Sequence, residues 1–525
     1  MRSTESSNIE ESTSSNRRIA KNAAALYFRM IVTMLVGLYT SRIILQALGV
    51  EDYGIYNVVG GFVSMFSLIS SSLQGSIGRF LTFELGTGNK EKLRKIFSTS
   101  FFVMIGLSCL IVIATESVGL WYLYNKMVIP EERMSAAFWC FQLSIASFVL
   151  SLLSAPYSSS IVAHERMGIY AYISILDAIF KLLICFAVMV SPIDKLVFYA
   201  ILVILVNVID QIIYWSYCTK KFVECKLTFV FDKDIFKQMF GFAGWNFIGT
   251  SASILRSQGA SLMLNAFGGP VVNAANGIAN SICGVVSGFV GNFTVAFNPQ
   301  ITKRYASKEY ESLMQLLIYG SKYSYYLMFI LSLPIFFNAK FILHIWLGTV
   351  PEHTVAFTHW IFVFLLAESI SRPIITAKNA TGKIRNYQIV VGGVLLLMLP
   401  ISYVGLKMGL PVSFVACANA LTAIMAVFAR MYMLRGDFPC WSSRTYFHKV
   451  FINVLSVSAV ASILPAISYN TIVEGWANLI ITSTLAIVSS ALSIFYIGCS
   501  QKEREVVTSK IKQLISKKKT HTEND

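Results

Sequence analysis

The chain is a succession of apolar runs, each of about 20 residues, and no other feature restricts its fold as much. A run of that length crosses a hydrocarbon core of about 30 Å as a helix, because only backbone that closes its own hydrogen bonds persists there. About fourteen runs are legible, at 22–48, 54–80, 96–124, 136–162, 168–190, 196–218, 238–267, 271–298, 314–345, 354–377, 386–406, 411–433, 447–467 and 473–498. Composition agrees, since 13% of residues are charged against about 25% in soluble domains. The expected fold is an all-α integral membrane protein with about fourteen transmembrane helices.

The opening "MRSTESSNIEESTSSNRRIA" is polar and lacks the apolar core of a cleavable signal, so residues 1–21 read as a retained, disordered tail. Lysine and arginine near span ends stay in the cytoplasm. Alternate connections are basic: Arg17, Arg18 and Lys21; "NKEKLRK" (89–95); Arg166; "TKKFVECK" (219–226); Lys303, Arg304 and Lys308; Lys378, Lys383 and Arg385; Arg435 and Arg444. The opposite connections, "GVED" (49–52), "KMVIPEER" (126–133), "SPIDK" (191–195), "FGGP" (267–270), "GTVPEH" (348–353) and "EG" (474–475), are short and nearly neutral or acidic. Both termini are thus expected in the cytoplasm, which requires an even number of spans. The formal +16 is spread along one membrane side instead of clustered on a folded domain, which argues against a nucleic-acid partner. Nine cysteines show no CxxC and no histidine at ligand spacing, and they read as packing residues with no metal site.

The chain also resembles itself. "GVEDYGIYNVVG" (49–60) lies over "GPVVNAANGIAN" (269–280), and "SAPYSSSIVA" (154–163) over "SRPIITAKNA" (371–380), which pairs Pro156 with Pro373 and Ala163 with Ala380. An offset of six spans preserves orientation, so two halves would be related by an axis along the membrane normal. The expected organisation is a six-helix bundle at 22–218, a cytoplasmic linker at 219–237, a second six-helix bundle at 238–434, two additional helices within 447–498 and a basic tail at 499–525.

"SRIILQALGVEDYGIYNVVGG" (41–61), "ERMGIYAYISILDAIFKLL" (165–183) and "GWNFIGTSASILRSQGASLMLNAFGG" (244–269) resemble the Wzx-type O-antigen flippases. These belong to the multidrug, oligosaccharidyl-lipid and polysaccharide (MOP) exporter superfamily. The resemblance implies a V-shaped pair of bundles working by alternating access. It further implies a cargo of undecaprenyl-pyrophosphate-linked oligosaccharide, contacts with membrane lipids, H⁺ or Na⁺ coupling with no other cofactor, and a polysaccharide polymerase and chain-length regulators as partners.

Charges inside the spans are the candidate site. A charge near the bilayer centre costs at least about 2.5–3.5 kcal/mol and needs a partner, a wet cavity or a route to the interface. Arg29 and Arg42 are about 20 Å apart along one helix and roughly 140° apart around it. Each can snorkel to its own interface or line a cationic lumen that grips pyrophosphate oxygens. Arg256 is deeper, beside Ser253, Ser257 and Gln258, and reads as lumen-facing or as a hydrogen bond to a neighbouring helix. Asp177 with Lys181, and Glu368 with Arg372, are acid-before-base pairs at i, i+4. Each pair is either a self-neutralised ion pair or an ion-coupling site, with Glu116 and Lys322 as weaker candidates. Gly277, Gly284, Gly288 and Gly291 form a helical stripe that reads as a close-packing face in preference to a hinge. Asn276, Asn280 and Asn292 suit a cavity wall.

Three rivals stand beside the flippase. An Arg-rich, acid-poor interior argues against a drug or cation efflux antiporter. The missing outer catalytic loop argues against a membrane enzyme such as an O-antigen polymerase or ligase. A peptidoglycan-precursor flippase is compatible with the length and span count.

Overall fold

The computed structural model describes residues 22–509, except positions 38, 41, 42, 45, 50, 51, 53, 54, 57, 58, 61, 64, 126, 128, 192, 227, 229, 348, 502, 506 and 507. Its described elements are helices, and no strand occurs among the described residues. They run α1 (Asn22–Gly37), α2 (Ser67–Thr87), α3 (Lys90–Asn125), α4 (Met134–Ala163), α5 (Met167–Met189), α6 (Lys195–Lys221), α7 (Lys233–Ala306), α8 (Tyr310–Leu347), α9 (Thr354–Thr381), α10 (Arg385–Lys407), α11 (Phe414–Met433), α12 (Ser443–Thr471) and α13 (Trp476–Gly498).

Among the described residues, eleven stretches are long and apolar enough to cross a membrane, and each overlaps one of the expected runs. Of the other three, two fall where several positions lie outside the described residues. The third, the first arm of α7 at 233–268, is helical but carries Asn246, Thr250, Ser251, Ser253, Arg256, Ser257 and Gln258, which lowers its hydropathy.

Short polar caps begin the helices where the apolar runs begin. The side chains of Asn89, Asp194 and Asp232 accept first-turn N–H groups of α3, α6 and α7, which satisfies donors the helix itself cannot. The expected outer connection "FGGP" (267–270) is tight, and the second arm of α7 starts at Val271. The helical path breaks there at one residue, Gly269, with φ 73° and ψ −175°, a conformation that a Cβ would disfavour. Pro156 in α4 and Pro373 in α9 both lie inside their helices, about two turns before the ends at Ala163 and Thr381.

Two compact units emerge. Unit one comprises Met1–Ser251, Val295–Glu309 and Thr376–Gln388, and unit two comprises Ala252–Thr294, Tyr310–Ile375 and Ile389–Asp525. The core of unit one packs Ile77, Phe97, Tyr157, Ile161, Met239 and Ile384. That of unit two packs Leu264, Ala275, Ala279, Cys283, Phe357 and Ala418. The small residues that let α7 pack closely are therefore Ala275, Ala279 and Cys283. The glycine stripe points elsewhere: Gly277, Gly284 and Gly288 are exposed, and a Cβ at Gly277 or Gly284 would meet nothing within 4 Å. This corrects the close-packing expectation, because buried alanines and a cysteine at the same helical period supply the apolar face that glycine cannot. All nine cysteines are free, and six are buried.

Candidate functional site

Unit two gathers the densest set of intramembrane charges. On α9, Phe364, Glu368 and Arg372 recur every four residues and so share one face. Arg256, from the first arm of α7, donates Nη1 to Asn419 Oδ1 of α11 at 3.0 Å and stacks its guanidinium 5.0 Å from the Phe364 ring centroid. Glu368 takes an ion pair from Arg430 of α11 at 3.1 Å. Arg372 donates Nη2 to Ser287 Oγ on the second arm of α7 at 3.3 Å. The i, i+4 pairing of Glu368 with Arg372 is thus not the contact that fixes Glu368. Its partner comes from another helix, at a sequence separation of 62.

Three arginines against one glutamate leave an excess of positive charge, and Asn419 and Ser287 add neutral polar atoms. Arg430 is nearly buried, with 5% of its side chain exposed, so it serves mainly to neutralise Glu368. Arg256 and Arg372 are only partly buried. Each guanidinium has five donors, and this fork geometry matches carboxylate or phosphate oxygens.

Unit one holds acid-bearing candidates of its own. Lys181 Nζ is 2.9 Å from Asp177 Oδ2 within α5. Asp210, on α6, lies beside Asp177 with a buried Oδ1 that has no hydrogen-bond partner. Two carboxyl groups and one ammonium are thus brought together from α5 and α6. Sequence reasoning missed Asp210; a lone acid six spans into the chain has no i, i+4 partner to mark it. Glu116 accepts from Gln142 Nε2 at 3.1 Å. The Arg29 guanidinium lies 5.0 Å from the centroid of Tyr170, and Arg42 lies outside the described residues. Lys322 is nearly buried and meets Glu503 at 3.4 Å.

A second cluster of unit one, on the side of the basic connections, was not foreseen. Arg79 of α2 donates Nε to Asn379 O at 2.8 Å and Nη2 to Ala380 O at 2.9 Å, closing the C-terminal carbonyls of α9. Phe80, Phe83 and Phe242 surround its guanidinium. A cavity of about 320 Å³ opens beside it, with Thr82, Asn246, Asn298, Thr302 and Asn379 in its wall. One turn further on, Ser307 Oγ donates to Gly86 O at 2.7 Å, and a Cβ on Gly86 would stand 2.7 Å from Lys303 O. Glu165 completes the cluster, accepting from Lys303 Nζ at 2.8 Å and Gln300 Nε2 at 2.5 Å. Its φ of 59° is a left-handed conformation that costs on the order of 1 kcal/mol, and these two contacts hold it.

On the opposite side, Arg133 bridges Asp52 at 2.6 Å and Asp194 at 2.5 Å. Burial alone would raise the Asp194 carboxyl; the hydrogen bond from Arg133 and those from the Val197 and Leu196 N–H groups outweigh it and hold Asp194 below the ordinary aspartate range.

Residues 19–304, more than half of the chain, match the family described as polysaccharide biosynthesis protein. The chain belongs to that family. This polysaccharide biosynthesis family member is also 21% identical over 512 residues to the uncharacterized membrane protein EpsK of Bacillus subtilis (strain 168), a match covering 94% of this chain and 98% of that one. Its fold is similar to that of the Vibrio cholerae MATE transporter VcmN in the bent form, with a TM-score of 0.68 at 14% identity over 83% of this chain and 98% of that one. It is equally similar to a MOP superfamily transporter from Pyrococcus furiosus whose binding pocket has reverse polarity, with a TM-score of 0.67 at 14% identity over 80% and 95%. Family and fold bear out the resemblance to the MOP exporters read from residues 41–61.

Proposed function

We propose that the chain is a flippase, moving undecaprenyl-pyrophosphate-linked oligosaccharide from the inner to the outer leaflet of a bacterial inner membrane by alternating access. The observation that carries this reading is the arginine-rich cluster of unit two in a polysaccharide biosynthesis family member. A pyrophosphate carries charge that a lumen must match during transit, and Arg256 and Arg372 supply partly exposed guanidinium groups suited to it. Arg29 and Arg42 are the further candidates for this role. A drug or cation antiporter reading is disfavoured, since the same arginines would repel a cationic cargo. No step of the reading is catalytic, so the chain acts as a transporter and not as an enzyme.

Coupling to an H⁺ or Na⁺ gradient is assigned to Asp177, Lys181 and Asp210, with Glu368 and Glu116 as alternatives. Uptake of one ion by the two carboxylates would release the lysine from its pair, and release of the ion would restore it. A polysaccharide polymerase and chain-length regulators would receive the cargo. Both termini are assigned to the cytoplasm on loop charge. The test is complementation: the chain, expressed in a strain that makes a lipid-linked glycan but lacks its exporter, restores surface glycan. Failure to restore any glycan whose precursor accumulates inside would refute the reading.

A further inference from the structure

A cavity of about 670 Å³ lies in unit one beside the turn between α4 and α5, away from every charge cluster assigned above except Glu165. Its polar end is formed by Asn22, His164, Glu165, Arg166 and Gly168, and its apolar end by Phe28, Tyr172 and Ile175 with their neighbours. Four properties of the polar end favour an anion. Asn22 is 6% exposed, and its Nδ2 is a buried donor without a hydrogen-bond partner. α5, 23 residues long, starts here with no side-chain cap, so its first N–H groups and the positive end of its dipole face outward. Arg166 is exposed. Gly168 leaves open space where a Cβ would stand, which lets a ligand approach the backbone. The acidic members of the wall are already matched, because Glu165 holds Lys303 and Gln300. His164 in turn meets the Glu224 carboxylate.

The apolar end follows from helix geometry. Phe28 is about 9 Å along α1 from Asn22, and Ile175 about 12 Å along α5 from Met167. Phe28 and Tyr172 are 62% and 71% exposed, so within about two turns the wall changes from donors to bare apolar surface. Donors at the end of the basic connections and apolar surface one helix-turn deeper match the profile of a lipid, headgroup outward and chain inward. We propose that this cavity binds the phosphate headgroup of an anionic phospholipid from the leaflet on the basic side, with an acyl chain between Phe28 and Tyr172. This occupant is separate from the exported cargo, and the inference stands whether or not the cargo assignment does.

The experiment uses the purified full chain, offered equimolar phosphatidylglycerol and phosphatidylethanolamine and read by native mass spectrometry. The expected result is one tightly retained phosphatidylglycerol, preferred by about fivefold or more, as charge-assisted hydrogen bonds to one phosphate allow. Arg166→Glu and Asn22→Asp each abolish the preference, Gly168→Trp fills the space and removes retention, and Arg166→Lys keeps most of it. Arg166 and Gly168 are not in the packed core, so unchanged melting temperatures in their variants separate lost binding from lost folding. Equal retention of the two lipids, or a preference that survives both Arg166→Glu and Asn22→Asp, would overturn the proposal. So would displacement by inorganic phosphate alone, which would make it a free-anion site. Replacement of phosphatidylglycerol by undecaprenyl phosphate, or binding seen only after residues 1–20 are removed, would give the cavity to the cargo or to the chain's own tail.

Discussion

The Arg430 guanidinium stands 3.1 Å from the Glu368 carboxylate, with 5% of the arginine side chain and 24% of the glutamate exposed. Among the described residues of the unit-two cluster Glu368 is the one acid, and Arg430 is its partner.

Removing one partner of this pair strands the other. Glu368→Ala removes the carboxylate that faces the nearly buried Arg430, which should lower stability by about 3–5 kcal/mol. The double variant Glu368→Leu with Arg430→Leu should recover most of that loss. Thermal unfolding in detergent checks both, and a Glu368→Ala protein as stable as the wild type would show that Arg430 has another outlet for its charge.

Gly86 is held against the backbone of Lys303, where an added Cβ would stand 2.7 Å from a carbonyl oxygen that cannot rotate away. Gly86→Ala is expected to cost about 1–3 kcal/mol by overpacking, whereas Gly78→Ala, with nothing within 4 Å of its Cβ position, should be close to neutral. Equal melting temperatures for the two variants would contradict the close approach.

Arg79 ties α2 to the last carbonyls of α9 with two charge-assisted bonds. Arg79→Leu should destabilise unit one by about 1.5–3 kcal/mol per bond lost at most and open the polar cavity beside it. A cysteine placed at Thr302, in the wall of that cavity, should then react faster with a membrane-impermeant thiol reagent than in the parent. An unchanged rate would mean that Arg79 does not close the cavity.

The folded pKa of Asp194 is depressed, so the sign is that of an acid stabilised in its charged form. Its contribution is complete above the ordinary aspartate value of about 4 and is lost as pH falls through its lower folded value. The stability difference between wild type and Arg133→Ala should therefore be flat from about pH 5 to 8 and shrink below about pH 4. A difference that grows on acidification would reverse the assignment.

Much of this architecture is legible from the residues, because each transmembrane helix must satisfy its own backbone and so declares itself locally as an apolar run. The basic connections and the capping residues Asn89, Asp194 and Asp232 are local signals of the same kind. Gly269 is legible only in part: "FGGP" marks the break between two spans, yet a single glycine at positive φ is enough to make it. The site residues were legible as charges in apolar surroundings but not as partners. Arg430 meets Glu368 across 62 residues and Arg79 meets Asn379 across 300, and no helical period encodes a contact at that separation. Asp210 escaped notice for the same reason, since its neighbour Asp177 sits on another helix.

The coupling assignment predicts that Asp210→Asn and Asp177→Asn uncouple flux from the ion gradient without removing the cationic cluster. In vesicles, an imposed pH or sodium gradient should accelerate transport by the wild type and leave both variants at the slow, gradient-independent rate. Full gradient stimulation of Asp210→Asn would move the coupling site elsewhere.

The most direct measurement is translocation of a fluorescent polyprenyl-pyrophosphate oligosaccharide by the purified protein in vesicles, comparing wild type with Arg256→Lys, Arg256→Ala and Arg372→Ala at equal reconstituted amounts. If guanidinium groups carry the pyrophosphate, Arg256→Ala and Arg372→Ala should each lose at least about tenfold in rate, equivalent to about 1.4 kcal/mol, and Arg256→Lys should recover part of it. Wild-type rates in both alanine variants, or translocation of a neutral or cationic amphiphile in preference to the pyrophosphate, would contradict the account.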